Sequence, residues 1–140
     1  MKILQKICFV LLLTTFSSAY AGGCVDVHSC RVKAERGDAG AQYVLGYLYF
    51  KGRDYQQAFK WYTKAAEQGV AGAQFNLGVM YAGGEGVIKD FAMAHMYWNI
   101  AAVSGDKIAK KERDRIEGVM TASQIEKAQD LAREWVRTHQ

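Results

Sequence analysis

The chain has 140 residues, half of them hydrophobic, which is enough to bury the core of one domain. Its 18 basic and 14 acidic residues leave a formal charge of +4, and no long basic run concentrates that charge. Charge therefore gives no reason to expect nucleic acid or an acidic membrane surface as partner.

The first element reads as a leader. Lys2 and Lys6 make a basic start, Ile7 to Phe16 an apolar run, and Ala19-Tyr20-Ala21 a small-residue cleavage site. Residues 1–21 are expected to be a secretory signal peptide, cut after Ala21 to leave Gly22 first. The apolar run is too short to cross a bilayer comfortably. Two alternatives stand beside this. One is an uncleaved anchor; the other is a lipid anchor at Cys24, because Ala21-Gly22-Gly23-Cys24 is a degenerate lipobox. No second hydrophobic span follows, so no membrane span is expected. The location that follows is exported, periplasmic or secreted, in a bacterium.

Cys24 and Cys30 come next. On one continuous helix they would lie about 9 Å apart along the axis, beyond disulfide reach. A bond needs Cys24 to precede the helix and fold back. An oxidising compartment allows the pairing; otherwise one thiol is buried and the other exposed or lipidated. The pair is not a redox C-x-x-C motif, and no spacing suggests zinc, so neither metal nor cofactor is expected.

Seven helices follow in order. A lead-in helix runs from about Asp26 to Arg36, and four more run Ala39 to Lys51, Asp54 to Gln68, Ala71 to Ala82 and Asp90 to Ser104. Lys107 to Glu117 is a charged segment with pairs available at i,i+4, such as Arg113 with Glu117. Ala122 to about Thr138 closes the chain, with Ile125, Ala128, Leu131, Ala132 and Trp135 on its buried side. Asp54 with Gln57 and Thr121 with Gln124 fit capping boxes. Gly37, Gly69 and Gly105 fall where helices stop and suit a left-handed cap. The chain has no proline. Ala82 to Asp90 is a longer, glycine-rich turn; no Gly-Lys-Ser/Thr follows it, so it reads as a turn rather than a phosphate loop.

Two of these elements repeat. GDAGAQYVLGYLY from Gly37 returns as GVAGAQFNLGVMY from Gly69. Ala58-x-x-Trp61-Tyr62-x-x-Ala65-Ala66-x-x-Gly69 returns as Ala94-x-x-Tyr97-Trp98-x-x-Ala101-Ala102-x-x-Gly105. Two helix-sized elements per unit, with a period in the thirties, indicate stacked helical hairpins. The repeated positions Ala41, Leu45, Gly46 and Tyr49 answer to Ala73, Leu77, Gly78 and Tyr81. Small residues leave room for a neighbouring helix backbone, and large ones fill between them. The expected units are 22–36, a lead-in half-repeat; 37–68 and 69–104, two repeats; and 105–140, a degenerate cap. In that cap Arg113 and Glu117 replace the repeat's leucine and tyrosine, as the polar end of a solenoid requires.

The A-x-A-Q-x-x-L-G-x-x-Y element, the Gly84-Glu85-Gly86-Val87 loop and the A-x-x-W-Y-x-x-A-A-x-x-G element together resemble Sel-one-like repeats, relatives of the tetratricopeptide repeat. The likeness covers Gly37 to about Gly105, and more weakly the remainder. It implies an all-α, α/α solenoid and a protein or peptide partner of unstated identity. In related tetratricopeptide hairpins the first helix of each unit lines the concave side. That places Tyr43, Tyr47, Phe50, Phe75, Val79, Lys111 and Arg115 as candidate contacts, aromatics flanked by cations that suit a peptide with apolar anchors and acidic groups. Aromatics at helical spacing also serve as ordinary packing.

Catalytic signals are sparse. His28 lies near Cys24, Cys30 and Asp26, but a chain terminus is a poor place to preorganise a nucleophile. His95, among alanines and aromatics, reads as a partly exposed surface residue, and His139 sits at a frayed end. H-E-x-x-H, G-x-S-x-G and S-x-x-K are missing. The expectation is an interaction module, not an enzyme. Cysteine-rich secreted members of the resembled family have been linked to β-lactam binding and hydrolysis, which supplies the alternative. Those members carry a cysteine pair in each repeat, and neither full repeat here has one.

Overall fold

A computed structural model describes residues 23–139; the expected leader and cleavage site lie outside the described residues. Among those residues the secondary structure is helical, with seven helices: α1 (Val27–Glu35), α2 (Ala39–Lys51), α3 (Tyr55–Glu67), α4 (Ala71–Gly83), α5 (Phe91–Val103), α6 (Lys107–Glu117) and α7 (Ala122–Thr138). Consecutive helices pack on one another as far as α6, and α7 returns to lie on α5. This is the expected α/α solenoid.

Helix starts are written in aspartate. Asp26, Asp38, Asp54, Asp90 and Asp106 cap α1, α2, α3, α5 and α6 with side-chain carboxylates, and Thr121 caps α7. Each accepts from backbone N–H groups that have no partner within the helix, and the five aspartates also place negative charge at the positive end of the helix dipole. Thr121 and Gln124 form the full reciprocal box. Of the expected Asp54–Gln57 box only one half forms, Gln57 N–H donating to Asp54 at 3.2 Å. A box not anticipated joins Asp26 and Ser29, and the hydrogen bonds from Ser29 hold the Asp26 carboxyl below its ordinary range.

Helix ends use one device repeatedly. Gly37, Gly69 and Gly105 have φ of 93°, 85° and 98°. Each donates its N–H to the carbonyl three residues back, and the following residue donates to the carbonyl five back. That is the Schellman arrangement, and it needs a left-handed residue at its centre. The α2–α3 turn has the same bonds, from Arg53 to Phe50 and from Asp54 to Tyr49, but its central residue is Arg53 at φ 61°. A side chain in that conformation costs about 1–2 kcal/mol.

The repeat glycines admit aromatic rings. A Cβ built on Gly46 would stand 2.6 Å from Tyr62 Cδ1, and one on Gly78 would stand 2.6 Å from Trp98 Cδ1. The space expected for a neighbouring backbone is taken by an aromatic side chain from the second helix of the same hairpin. Trp98 is fixed further by donating its indole N–H to Phe75 O at 3.1 Å. Leu45, Leu77, Ala58, Ala65, Ala73, Ala94 and Ala101 are fully buried around these plugs, and Ala41 nearly so. The repeat glutamines stitch one unit to the next. Gln42 Nε2 donates to Ala34 O and Gln74 Nε2 to Ala66 O, each from a buried side chain to the end of the preceding helix.

Cys24 precedes α1 and folds back to bond Cys30, with the two Cα atoms 4.7 Å apart. Cys30 is fully buried against Ala34, Ala41, Leu45 and Trp61. The bridge thus pins the chain's lead-in to the first cluster of the core.

Candidate functional site

Two surfaces are candidates. The first is the stripe expected from the sequence. Tyr43, Phe75 and Lys111 hold one repeat position on α2, α4 and α6, and Tyr47, Val79 and Arg115 hold another. Tyr47 is 46% exposed, and Lys111 and Arg115 are exposed too, Arg115 reaching Glu112 with its Nε at 2.9 Å. The other four share their surface with packing. Tyr43 lies 6.0 Å from the Tyr62 ring and close over Gly72. Phe50 stands edge-on to Tyr55 at 5.3 Å, Phe75 lies 6.5 Å from Trp98, and Val79 belongs to the cluster around Trp98. Down the stack the stripe passes from aromatic, through apolar, to cationic.

The second surface was not foreseen. Between α5, α6 and α7 opens a cleft of about 640 Å³, whose walls include His95, Asn99, Arg113, Glu117, Val136 and Arg133. Its origin lies in what the third hairpin lacks. The leucine, glycine and tyrosine of the repeat's first helix are here Arg113, Asp114 and Glu117. Counted from the N-caps Asp54, Asp90 and Thr121, the plug position of Tyr62 and Trp98 falls in α7 on Gln129, an exposed polar residue that lines the cleft. With nothing to fill between them, α6 and α7 each lie on α5 rather than on each other.

Polar groups occupy the floor of this cleft. His95 is 1% exposed, not a surface residue as the sequence suggested. Its Nε2 lies 2.7 Å from Glu117 Oε1, so Nε2 carries the donated proton, while Nδ1 is buried with no hydrogen-bond partner. Arg113 does not pair with Glu117 along α6. Its Nη1 donates to Asn99 Oδ1 at 2.7 Å, and its Nε and Nη2 donate to Asp114 at 3.0 and 2.7 Å. Both residues are thus used between helices or with an adjacent side chain, because α5 offers His95 and Asn99 one turn apart. A sequence reading could have found this only by pairing His95 with a polar residue at the site of a repeat tyrosine.

The Sel1-repeat family model matches residues 39–70 and 71–106. The chain carries two Sel1 repeats. Solved structures agree with this. A protective antigen of uropathogenic Escherichia coli, c5321, displays an SLR fold and superposes with a TM-score of 0.78 at 32% identity. The match covers 81% of this chain and 25% of that one. A Sel1 repeat protein from Oxalobacter formigenes gives 0.57 at 33% identity, over 71% of this chain and 45% of that one. The chain thus spans a quarter to under half the length of these relatives. No curated protein matches it. The two Sel1 repeats end at residue 106, so the α6 and α7 walls of the cleft fall beyond them, and only its α5 wall is built on repeat residues. No group of three or more His, Cys, Asp or Glu among the described residues is arranged to hold a metal ion. No helix of these residues is long and apolar enough to cross a membrane.

Proposed function

We propose that this protein is an exported interaction module that binds a protein or peptide along the stripe formed by α2, α4 and α6. Sel1-repeat folds commonly serve as protein-binding scaffolds. The observation that carries the reading is Tyr47. It is a large aromatic residue in the middle of the first repeat, surplus to the core and 46% exposed, at the head of a stripe that ends in Lys111 and Arg115. An amphipathic aromatic anchor on a stripe whose far end carries exposed cations, Arg115 among them paired with Glu112, suits a partner with an apolar side chain and acidic flanks. Export is supported by the leader pattern of residues 1–21 and by the Cys24–Cys30 bridge, which belongs in an oxidising compartment. A lipid on the Cys24 sulfur would require that bridge to be absent. No observation favours the β-lactam reading, and neither Sel1 repeat contains a cysteine.

The test is a crosslinking pull-down from the envelope fraction with wild type and with Tyr47→Ala, Arg115→Glu. The double variant is expected to keep its melting temperature and to lose the recovered partner by tenfold or more, since interface aromatics are worth about 2 kcal/mol or more each. Unchanged recovery would rule the stripe out. Intact mass of the extracted protein should begin at Gly22; retention of Met1, or a lipidated Cys24, would overturn the export route.

A further inference from the structure

The α5–α6–α7 cleft has three kinds of wall. Ile100, Val103, Ala132 and Val136 are apolar. Arg113 and Arg133 supply positive charge, and Arg113 uses three of its five N–H donors on Asn99 and Asp114. Glu117 supplies a carboxylate held by His95 through Oε1, while its other oxygen has no protein partner among the described residues. Donor and acceptor therefore stand one helical turn apart on α6, about 5–6 Å between Cβ atoms, and neither neutralises the other.

His95 adds an independent reason to regard this as a built site. A fully buried imidazole with one unpartnered nitrogen costs stability that a leucine there would not. What the imidazole does is orient Glu117. A volume of about 640 Å³ is in the range of small-ligand pockets. A ligand matching all three walls carries a carboxylate, an N–H within a few ångströms of it, and an apolar side chain.

We propose that this cleft binds an apolar α-amino acid residue by its carboxylate and adjacent nitrogen, with Arg113 donating to the carboxylate and Glu117 accepting from the N–H. The same chemistry occurs at the C-terminus of a peptide and in a free amino acid. The cleft lies apart from Tyr47, so failure of this proposal would leave the interaction stripe untouched.

The full chain, as purified, is titrated with acetyl-alanyl-leucine, its C-terminal amide, and free leucine, following backbone amide NMR shifts. The acid is expected to shift α5 and α6 resonances around Asn99 and Arg113, and the amide to bind about tenfold more weakly or worse, as loss of a charge-assisted contact predicts. Free leucine binding as well as the peptide would sustain the site and name the free amino acid as its source; leucine binding far more weakly would name the chain end. Arg113→Gln, with helicity retained by circular dichroism at the titration temperature, should lose the acid-over-amide preference. Equal binding of acid and amide by the wild type, or no shift with either acid at about 10 mM, would overturn the proposal without any variant being needed.

Discussion

The second hairpin and the third are built on the same register and reach opposite ends. In α4 and α5, Leu77 is fully buried, Gly78 receives the Trp98 ring, and Tyr81 stacks on Tyr97 with ring centres 5.9 Å apart. In α6 the matching residues are Arg113, Asp114 and Glu117, and in α7 the plug position holds Gln129. Only Ala109 and Ile116 keep the first-helix pattern, both buried, at the positions of Ala73 and Met80. One hairpin is closed by a ring seated on a glycine; the other is held open on a shared neighbour. A repeat scaffold thus acquires a cleft by deleting its plug, while α5, common to both hairpins, maintains the fold.

The sharpest way to break that comparison is a charge at the shared leucine position. Leu77→Asp should unfold the protein, because an unpaired buried carboxylate costs several kcal/mol in a domain holding roughly 5–15 kcal/mol in all. Arg113→Ala at the equivalent site should cost only about 1–2 kcal/mol, since its hydrogen bonds are partly exposed. Circular dichroism melts of the two variants decide this, and a folded Leu77→Asp would refute the closed hairpin.

The next effect is steric. Gly78→Ala should lose about 1–3 kcal/mol to overpacking against Trp98. Alanine is intrinsically the better helix former by up to about 1 kcal/mol, so any net loss measures the collision. Asp114→Ala, half exposed, should stay within about 0.5 kcal/mol. Denaturant midpoints compare the two.

The hairpins should also differ in alkali. Burial, with Tyr81 and Glu67 adding to it, pushes the Tyr97 phenol up to about 12, and burial raises Tyr62 and Tyr81 as well. A group raised in the folded state stabilises fully below its unfolded value near 10 and less as pH rises above that. Stability should therefore be level up to about pH 10 and fall between there and about 12. Residues 105–140 contain no tyrosine, so amide protection, taken relative to the base-catalysed intrinsic rate, should fall first in α3 to α5. An equal loss of protection in α6 and α7 at the same pH would contradict the assignment.

The smallest effect is at a turn. Arg53→Gly removes the one left-handed side chain from an otherwise glycine-centred device and should raise stability by about 1 kcal/mol. The α6–α7 turn has no left-handed glycine, Gly118 having φ −63°, so Gly118→Ala should show no comparable strain.

Much of the fold was legible because the repeat prints its own punctuation. Aspartate or threonine before six of the seven helices and glycine after the first six placed every helix within about a residue of where it lies. The cleft was not legible, for a physical reason. His95 sits in a helix whose neighbours suggest a surface position, and its burial depends on Glu117, 22 residues away, crossing from a helix that no longer follows the repeat. Charge spacing along α6 suggested an internal Arg113–Glu117 pair, but local spacing carries no information about what α5 offers opposite. The stripe was only partly legible, since Tyr43, Phe50, Phe75 and Val79 serve the core and the surface together.

The glycine-centred turns have a consequence for how such a chain can change its length. Residues 36–38, 52–54, 68–70 and 104–106 each join two helices with hydrogen bonds that fix the turn's size. Adding one residue to a neighbouring helix would rotate everything beyond it by about 100°, carrying a buried alanine or leucine toward water. The stretch from Gly84 to Asp90 is different: it is longer and largely exposed, and it is where the second repeat already holds four more residues than the first. Insertions and deletions should be survivable there and ruinous in the short glycine- or Arg53-centred turns, which makes the two Sel1 repeats a ruler with one adjustable division between their helices.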